Sequence, residues 1–542
     1  MSAWFTTVST FVRARADDPR PGLVTDVGCW TWAEHTAAAA ARAAWYAADR
    51  RARGADGPAH VGVLLENVPE FSFWLAAAAL GRFVLVGLNP MRRGDALGDD
   101  IRATACDLVL TDASMAPLLD GADTGGARVV DVDAMSYHAA ALPDGEAQVD
   151  DLYLLIFTSG TTGTPKAVRC SQGKIATYGY GMVQRVGLTP DDVTYVSMPL
   201  FHSNAVIAGW APSLAVGATI ALRRKFSASQ FIPDARRFGA TYANYVGTPL
   251  SYVLAQPERP DDADNPLQRV FGNEGAPADL ERFARRFGCE VMDGFGSTEG
   301  GISITRTPDT PPGSLGRGVG DIRVLDPQTG EDCPPAVFDE SGRLANADVA
   351  VGEFVNVDGL GGFEGYWDAP EESAHRSRDG HYWSGDLGYC DAEGFLYFAG
   401  RSLDRLRVGG ENFPAAPVAR LLTRHPQVVE AVVYAVPDPT AGDRLMAAVV
   451  PGDGFDPSGF AQWVADQPDT SPQWVPRFLR VSADLPRTAT GKIVVRRLAE
   501  DRWDAPDEVW WRDGDDLTMR PFTPADAAAV EQEFARSGRV LV

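Results

Sequence analysis

Cysteine is scarce in this chain and scattered. The six cysteines (Cys29, Cys106, Cys170, Cys289, Cys333, Cys390) include no Cys-x-x-Cys pair, so neither a zinc site nor a disulfide framework is indicated, and reduced, mostly buried thiols are expected. Basic charge is also short. Against 73 Asp and Glu stand 49 Lys and Arg, a formal net charge of -24, which argues against nucleic acid or an anionic membrane surface as the main partner, since both need basic patches. Long hydrophobic runs are missing: the longest, Phe71–Leu80, is interrupted by Ser72 and is too short to span a bilayer. Residues 1–15 lack the sustained apolar stretch of a secretory signal, so a cytoplasmic protein is expected. There is no internal repeat, and the one biased tract, the alanine-rich Thr36–Ala48, reads as a plain surface helix.

What is present is the composition of an ordinary globular protein, 45% hydrophobic and 23% charged, in 542 residues, a length too great for a single core. From residue 30 to about 150, strand-like runs (Val61–Leu65, Phe83–Leu88, Leu108–Thr111) alternate with helical ones. The clearest helix is Pro69–Leu80, with Asn67 near its start, Phe71, Trp74, Leu75 and Ala78 on one face, and Gly81 as its stop. The rhythm resumes with strands at Val193–Met198, Thr219–Leu222, Thr241–Val246, Arg269–Phe271 and Glu290–Met292. Such alternation predicts an α/β fold with mostly parallel sheets covered by helices on both faces. Residues 301–400, rich in Gly, Pro and short β-type runs, predict a β-rich subdomain of a large N-terminal domain, 1–400. A hinge is placed at 401–405, and 406–542 reads as a small, mobile α+β C-terminal domain with a helix at Ala415–His425 and a strand at Glu430–Val436.

The stretch around which the chain is organised runs from Tyr153 to Val168. An apolar run typical of a buried strand, Leu152–Phe157, gives way to seven residues of Thr, Ser and Gly only, closed by Pro165 and Lys166. Gly160 and Gly163 let backbone N–H groups approach anionic oxygens, and the hydroxyls of Thr158, Ser159, Thr161, Thr162 and Thr164 add donors. Lys166 adds positive charge. The loop reads as a grip for a nucleotide triphosphate. It is not the P-loop of kinases and GTPases, because Pro165 precedes the lysine.

Three predicted strands run into further loops, Met198–Asn204, Gly272–Pro277 and Asp293–Gly300. Ligands of open α/β sheets bind at the carboxyl ends of strands, so these loops are expected to converge with the phosphate grip on one cleft. In the last loop Phe295 could stack on a base, Thr298 could donate to phosphate and Glu299 could hold magnesium; standing alone, it would read as a satisfied surface turn with a solvated glutamate. Ser384-Gly385-Asp386, whose carboxylate could accept from ribose hydroxyls, and Gly491-Lys492 are each weak signals in isolation.

In order and spacing, Thr158 to Lys166, Gly294 to Glu299, Ser384 to Asp386, Gly400-Arg401 and Gly491-Lys492 resemble the motif series of the adenylate-forming superfamily: acyl-CoA synthetases, adenylation domains of peptide synthetases, and luciferases. A finer likeness, to the very-long-chain acyl-CoA synthetase and fatty-acid transport protein branch, rests on Arg224–Phe231, Gly409–Asn412 and Arg520–Asp526. The resemblance implies an AMP-forming ligase using ATP, Mg²⁺ and coenzyme A. A carboxylate first joins the α-phosphate of ATP, and a thiol then displaces AMP. The family pattern assigns Thr158 to Lys166 to the β- and γ-phosphates, Thr298 to phosphate and Glu299 to Mg²⁺. It gives Asn273, Glu274, Gly275, Ala276 and Pro277, with Gly294, Phe295, Gly296 and Ser297, to the adenine side, and Asp386 and Arg401 to the ribose. Lys492 is assigned to the charge that develops where the carboxylate meets phosphorus. For the thioester step the small domain swings, and Gly409, Gly410 and Glu411 line the pantetheine tunnel, where Gly410 admits a thin chain.

Two features depart from that pattern. Leu403 stands where many relatives carry Asp or Lys at the pivot, with Asp404 next, so the pivot is Leu403 or Asp404; and Pro417, Val418 and Ala419 replace an acidic Glu-x-Glu. His202 falls at the family's gate between acyl site and CoA tunnel, or is simply a capped loop histidine. Ala205–Trp210 lacks the aspartate that holds an α-amino group, which favours an apolar carboxylic acid over an amino acid. Transfer to a carrier protein or an amine, an enzyme running only one half-reaction, and a binding protein without catalysis remain as alternatives. The partner expected is a small carboxylic acid, and a homodimer is left open.

Overall fold

The computed structural model describes residues 7–158, 165–246, 249–273, 275, 277–311, 313–338, 344, 346–401, 405–408, 411–439, 442–468, 470–486, 493, 495–514 and 516–537. The chain forms two compact units, a larger one built on residues up to Ala399 and a smaller one built on those from Gly400. Residues 402–404 of the expected hinge, with both pivot candidates, lie outside the described residues.

The parallel α/β architecture expected from the alternating runs is divided between two sheets of the larger unit. In the first, Arg128–Asp131, Leu108–Thr111, His60–Val63, Val84–Gly87 and Leu152–Thr158 lie side by side and parallel, and Lys166–Ser171 closes one edge antiparallel to Leu152–Thr158. In the second, Pro21–Val24, Thr219–Leu222, Val193–Val196, Tyr242–Val246, Arg269–Asn273 and Glu290–Gly296 run parallel, and Cys29–Thr31, Ser303–Thr305 and Arg317–Gly318 add antiparallel edges. The first part of the stretch read as a β-rich subdomain therefore belongs to the second sheet. Ile322–Leu325, Gly352–Asn356, Ser377–Arg378, His381–Cys390 and Leu396–Arg401 make the separate antiparallel sheet.

Helix Pro69–Gly81 departs from a one-faced reading. Every residue from Phe71 to Leu80, Ser72 included, is buried. Its ring and alanine side chains join one core with Tyr153 and Ile156 of the first sheet and Val196 and Ile220 of the second, and a helix apolar on all sides is stable only in such a place. The alanine-rich helix runs Trp32–Arg53, and it is not a plain surface helix. Trp32, His35, Thr36, Ala39, Ala40, Ala43 and Tyr46 are buried, because alanine lets it pack closely on its neighbours.

In the smaller unit, Glu411–Pro414, Arg405–Val408, Asp443–Pro451, Val428–Pro437, Phe478–Val481, Glu508–Trp511 and Arg520–Pro521 form one mixed sheet. Helix Ala415–Leu422 and strand Val428–Pro437 stand where the sequence places them. Among the described residues no helix is long and apolar enough to cross a membrane.

Candidate active site

The hydroxyl-rich stretch connects the two arms of a β-hairpin. Thr158 ends one strand, Lys166 begins the other, and the two are direct cross-strand partners; Ser159, Gly160, Thr161, Thr162, Gly163 and Thr164 between them lie outside the described residues. Lys166 is thus a strand residue rather than the end of a loop. Its ammonium lies 3.6 Å from the Glu372 carboxylate and 5.6 Å from the centre of the Tyr366 ring.

Strand Glu290–Gly296 runs four residues beyond Met292, so the first half of the loop expected at Asp293–Gly300 is strand. The extension decides the fate of Phe295. Paired with Ile304 across the sheet, its side chain points inward, packs against Phe354 and Phe398 at 5.9 and 5.8 Å between ring centres, and is 9% exposed. These edge-on and tilted contacts bury most of the Phe295 side chain. The chain turns after Gly296, with the Gly300 N–H donating to the Ser297 carbonyl at 3.0 Å.

That turn carries Thr298 and Glu299 to the ends of the other strands. Glu299 is 7% exposed, and its Oε1 accepts from Thr158 Oγ1 at 3.3 Å and from the Tyr366 hydroxyl at 3.0 Å. Burial, reinforced by the Glu299 charge, raises the Tyr366 phenol far above its ordinary pKa, so it stays a donor. Thr298 Oγ1 lies 2.8 Å from Ser203 Oγ in the loop that follows Val193–Val196. One residue on, Asn204 Nδ2 donates to the Tyr245 carbonyl at 3.1 Å and to Asn273 Oδ1 at 3.4 Å, and Asn273 Nδ2 donates to the Gly294 carbonyl at 2.8 Å. The Thr158–Lys166 hairpin, the loop after Val193–Val196, the end of strand Arg269–Asn273 and the Thr298–Glu299 turn therefore meet at the carboxyl ends of two parallel sheets.

Gly275 N–H donates to Asp293 Oδ2 at 3.0 Å, and the Tyr245 hydroxyl donates to the same oxygen at 2.6 Å. Glu274 and Ala276 lie outside the described residues, and Pro277 begins helix Pro277–Phe287. His202 follows a turn in which its N–H donates to the Pro199 carbonyl, and its ring packs on Phe201 at 4.5 Å. Solvent reaches the imidazole, yet protein surrounds most of it, and that desolvation holds its pKa below the ordinary value.

Asp386 is 2% exposed in strand His381–Cys390. Arg376 links its neighbourhood to Glu299. A methyl group on Gly385 would overlap the Arg376 guanidinium. Burial works against the charge of Arg376, but Tyr366, Tyr382 and Glu299 more than offset it and raise its pKa. Arg401 closes strand Leu396–Arg401, and its side chain, like that of Glu411, lies outside the described residues, as do Gly409, Gly410, Gly491 and Lys492 entirely.

Residues 12–367 match the AMP-binding enzyme family, and residues 418–492 match the AMP-binding enzyme C-terminal domain. The chain belongs to the AMP-binding enzyme family. It is 47% identical over 548 residues to the steroid-22-oyl-CoA synthetase of Rhodococcus jostii (strain RHA1), covering 98% of each chain. It is 52% identical over 488 residues to the medium/long-chain-fatty-acid–CoA ligase of Mycobacterium marinum, covering 89% of this chain and 93% of the relative. A long-chain fatty acid transport protein of Mus musculus is 29% identical over 543 residues, covering 90% of this chain and 80% of the relative. Among solved structures, the o-succinylbenzoate CoA synthetase of Bacillus subtilis bound to a product analogue superposes with a TM-score of 0.76 at 25% identity, over 92% of this chain and 98% of the other. The large and small units are those of adenylate-forming enzymes, and the activity is ATP-dependent formation of an acyl-CoA.

Reading this AMP-binding enzyme from its sequence misses Tyr366 and Arg376. Neither stands in a run that signals phosphate or ribose, and each acts through a partner distant in the chain; Tyr366 and Glu299 are 67 residues apart. The alternating pattern predicts helix between Val193–Met198 and Thr219–Leu222. Ala205–Trp210 forms a π-helical turn leading into helix Ala211–Val216, a wide turn often found beside ligand sites.

Proposed function

We propose that this acyl-CoA ligase activates an apolar carboxylic acid held beside the π-helical Ala205–Trp210, of the fatty or steroid side-chain kind named for its relatives. The carboxylate oxygen attacks the α-phosphorus of ATP, the bond to pyrophosphate breaks, and an acyl-adenylate results. The thiol sulfur of coenzyme A then attacks the acyl carbonyl carbon, loses its proton, and AMP leaves. What supports this reading most is the meeting of Ser203 on the acyl loop with Thr298, one residue from the Glu299 that Thr158 also contacts. An acid and a triphosphate bound at these groups would be held near one another, and proximity of this kind lowers a bimolecular barrier.

Thr158 and Lys166 take the outer phosphates in this reading, Asp386 and Arg401 the ribose, and Asn273, Gly275 and Gly294 the adenine edge. Among the described residues no three His, Cys, Asp or Glu side chains converge, so a metal here needs oxygens from the nucleotide. Glu299, a nearly buried carboxylate beside the Thr158 hydroxyl, suits magnesium, which takes few protein ligands and several phosphate or water oxygens. Bound there, the ion would neutralise charge on the triphosphate. The mobile small domain with a hinge at 401–405, the roles of His202, Lys492 and the 409–411 loop, a place in fatty-acid metabolism, and a cytoplasmic location where ATP and coenzyme A are at hand belong to the same proposal.

A screen of fatty, aryl and polycyclic acids with ATP and CoA, scored by acyl-CoA mass and pyrophosphate release, tests it. Turnover with an apolar aliphatic acid is expected. Turnover with a carrier protein or hydroxylamine in preference to CoA, or with amino acids alone, would overturn the assignment.

A further inference from the structure

Behind the turn that carries Glu299 stands a buried cation belonging to none of the motifs. Lys174, in the first turn of helix Gln172–Val186, is 6% exposed. Its ammonium donates to the carbonyls of Arg169 at 3.3 Å, Thr298 at 3.2 Å and Glu299 at 3.0 Å. Four residues on, and so on the same helix face, the Tyr178 hydroxyl donates to the Gly300 carbonyl at 2.7 Å. Two side chains of one helix thus hold three consecutive carbonyls, Thr298 to Gly300. The fit is close, since a methyl group on Gly300 or Gly362 would collide with the Tyr178 ring.

A buried ammonium is tolerated only when its N–H groups are satisfied, and three backbone acceptors do that here. The consequence falls on the other side of the turn. With the peptide groups held from behind, the Glu299 carboxylate faces Thr158 and Tyr366, and the Thr298 hydroxyl faces Ser203.

We propose that Lys174, assisted by Tyr178, is a positioning residue for the adenylation half-reaction, holding Thr298 and Glu299 in the orientation that receives the metal-bound triphosphate. The inference rests on the reading of Glu299 as the magnesium ligand. It also separates the two half-reactions. Pyrophosphate has left before the thioester step, so that step has no need of the metal that Glu299 would hold.

The test uses the full chain with Lys174→Met, which keeps the packing and removes the donors, and Tyr178→Phe, with circular-dichroism melting to establish folding. Mn²⁺ binding with a non-hydrolysable ATP analogue is read by electron paramagnetic resonance, the Mg²⁺ dependence by ATP–pyrophosphate exchange, and the second step by thioester formation from supplied acyl-adenylate. Groups that orient a metal ligand change metal affinity about 10- to 100-fold. Lys174→Met is expected to weaken Mn²⁺ binding and raise the Mg²⁺ requirement by such a factor, Tyr178→Phe by about fivefold, and neither to slow thioester formation. Unchanged Mn²⁺ binding in folded Lys174→Met, or equal loss of both half-reactions, overturns the proposal. Should Lys174→Met fail to fold, Tyr178→Phe decides alone, and wild-type Mn²⁺ affinity in it overturns the proposal. Failure of the wild-type chain to exchange pyrophosphate with any acid would instead overturn the reading of the reaction.

Discussion

Gly385 shows how much of the site turns on single residues. Its φ is +74°, in the left-handed region that L side chains rarely adopt, and the Arg376 guanidinium fills the space where a side chain would begin. Its N–H donates to Glu353 at 2.6 Å, which places the following Asp386. Gly385→Ala therefore introduces backbone strain of about 1–3 kcal/mol and displaces Arg376. The expected outcome is a KM for ATP raised on the order of tenfold with the KM for CoA unchanged, checked by steady-state kinetics. His35 makes a second prediction. Fully buried, with Nε2 2.8 Å from Ser72 Oγ, it has its pKa lowered from 6.5 to about 3 by desolvation and then by Arg42. The folded state keeps it neutral while the unfolded chain takes up a proton below its ordinary pKa. Its contribution is complete above 6.5 and is lost as pH falls toward 3, with a slope of about 1.4 kcal/mol per pH unit. Urea unfolding between pH 4.5 and 7.5 should show that slope reduced by one proton in His35→Gln. An identical slope in the variant would refute it. Sequence reading singles out Thr158, Glu299 and Asp386, proposed here to meet the nucleotide, because hydroxyl, carboxylate and glycine stand together in local runs. Tyr366 and Arg376 carry no local mark; a tyrosine or arginine in a helix or loop is usually packing or a solvated charge.

At the scale of elements, boundaries decide chemistry. The strand Glu290–Gly296 extends through the aromatic of its motif, and alternation along a strand then sends Phe295 to the core and Glu299, past the turn, to the cleft. The same holds for the hydroxyl-rich stretch, whose ends are locked together as a hairpin by pairing of Thr158 with Lys166. Helix Trp32–Arg53 begins with a reciprocal cap: Glu34 N–H donates to Thr31 Oγ1 at 3.1 Å, and Thr31 N–H donates to Glu34 Oε2 at 2.8 Å. Thr31→Ala is expected to cost about 1 kcal/mol, seen as a lower urea midpoint, with the rate of acyl-CoA formation unaltered because the cap is exposed and contributes nothing to the cleft. A fall in rate at constant stability would contradict this division. The alanine-rich helix misled the sequence reading because alanine has no periodic contrast with polar neighbours, and its burial shows only against the helix it packs on.

Across the whole molecule, two units divide the motifs. Thr158, Lys166, Thr298, Glu299 and Asp386 belong to the larger, and Lys492 stands in the sequence stretch that matches the C-terminal domain family. The proposed reaction asks that lysine to serve only the first half. Lys492→Ala is expected to lower ATP–pyrophosphate exchange by about 10² to 10³ and to leave conversion of supplied acyl-adenylate to acyl-CoA intact. Equal loss in both assays would place Lys492 outside the adenylation chemistry. The net charge of -24 acts at this scale too, keeping the surface unsuited to polyanions.

By itself the sequence determined the α/β class, the order of strands and helices, and the chemical character of each loop, because apolar period, glycine placement and hydroxyl density are properties of neighbouring residues. Only the tertiary structure decided that the parallel strands of the larger unit divide between two sheets, that Phe295 packs inward, and that Lys174, 124 residues from Thr298, holds the turn bearing Glu299. Those outcomes depend on which strand edges and helix faces come together. That choice is settled by packing across the whole core, which no local stretch encodes.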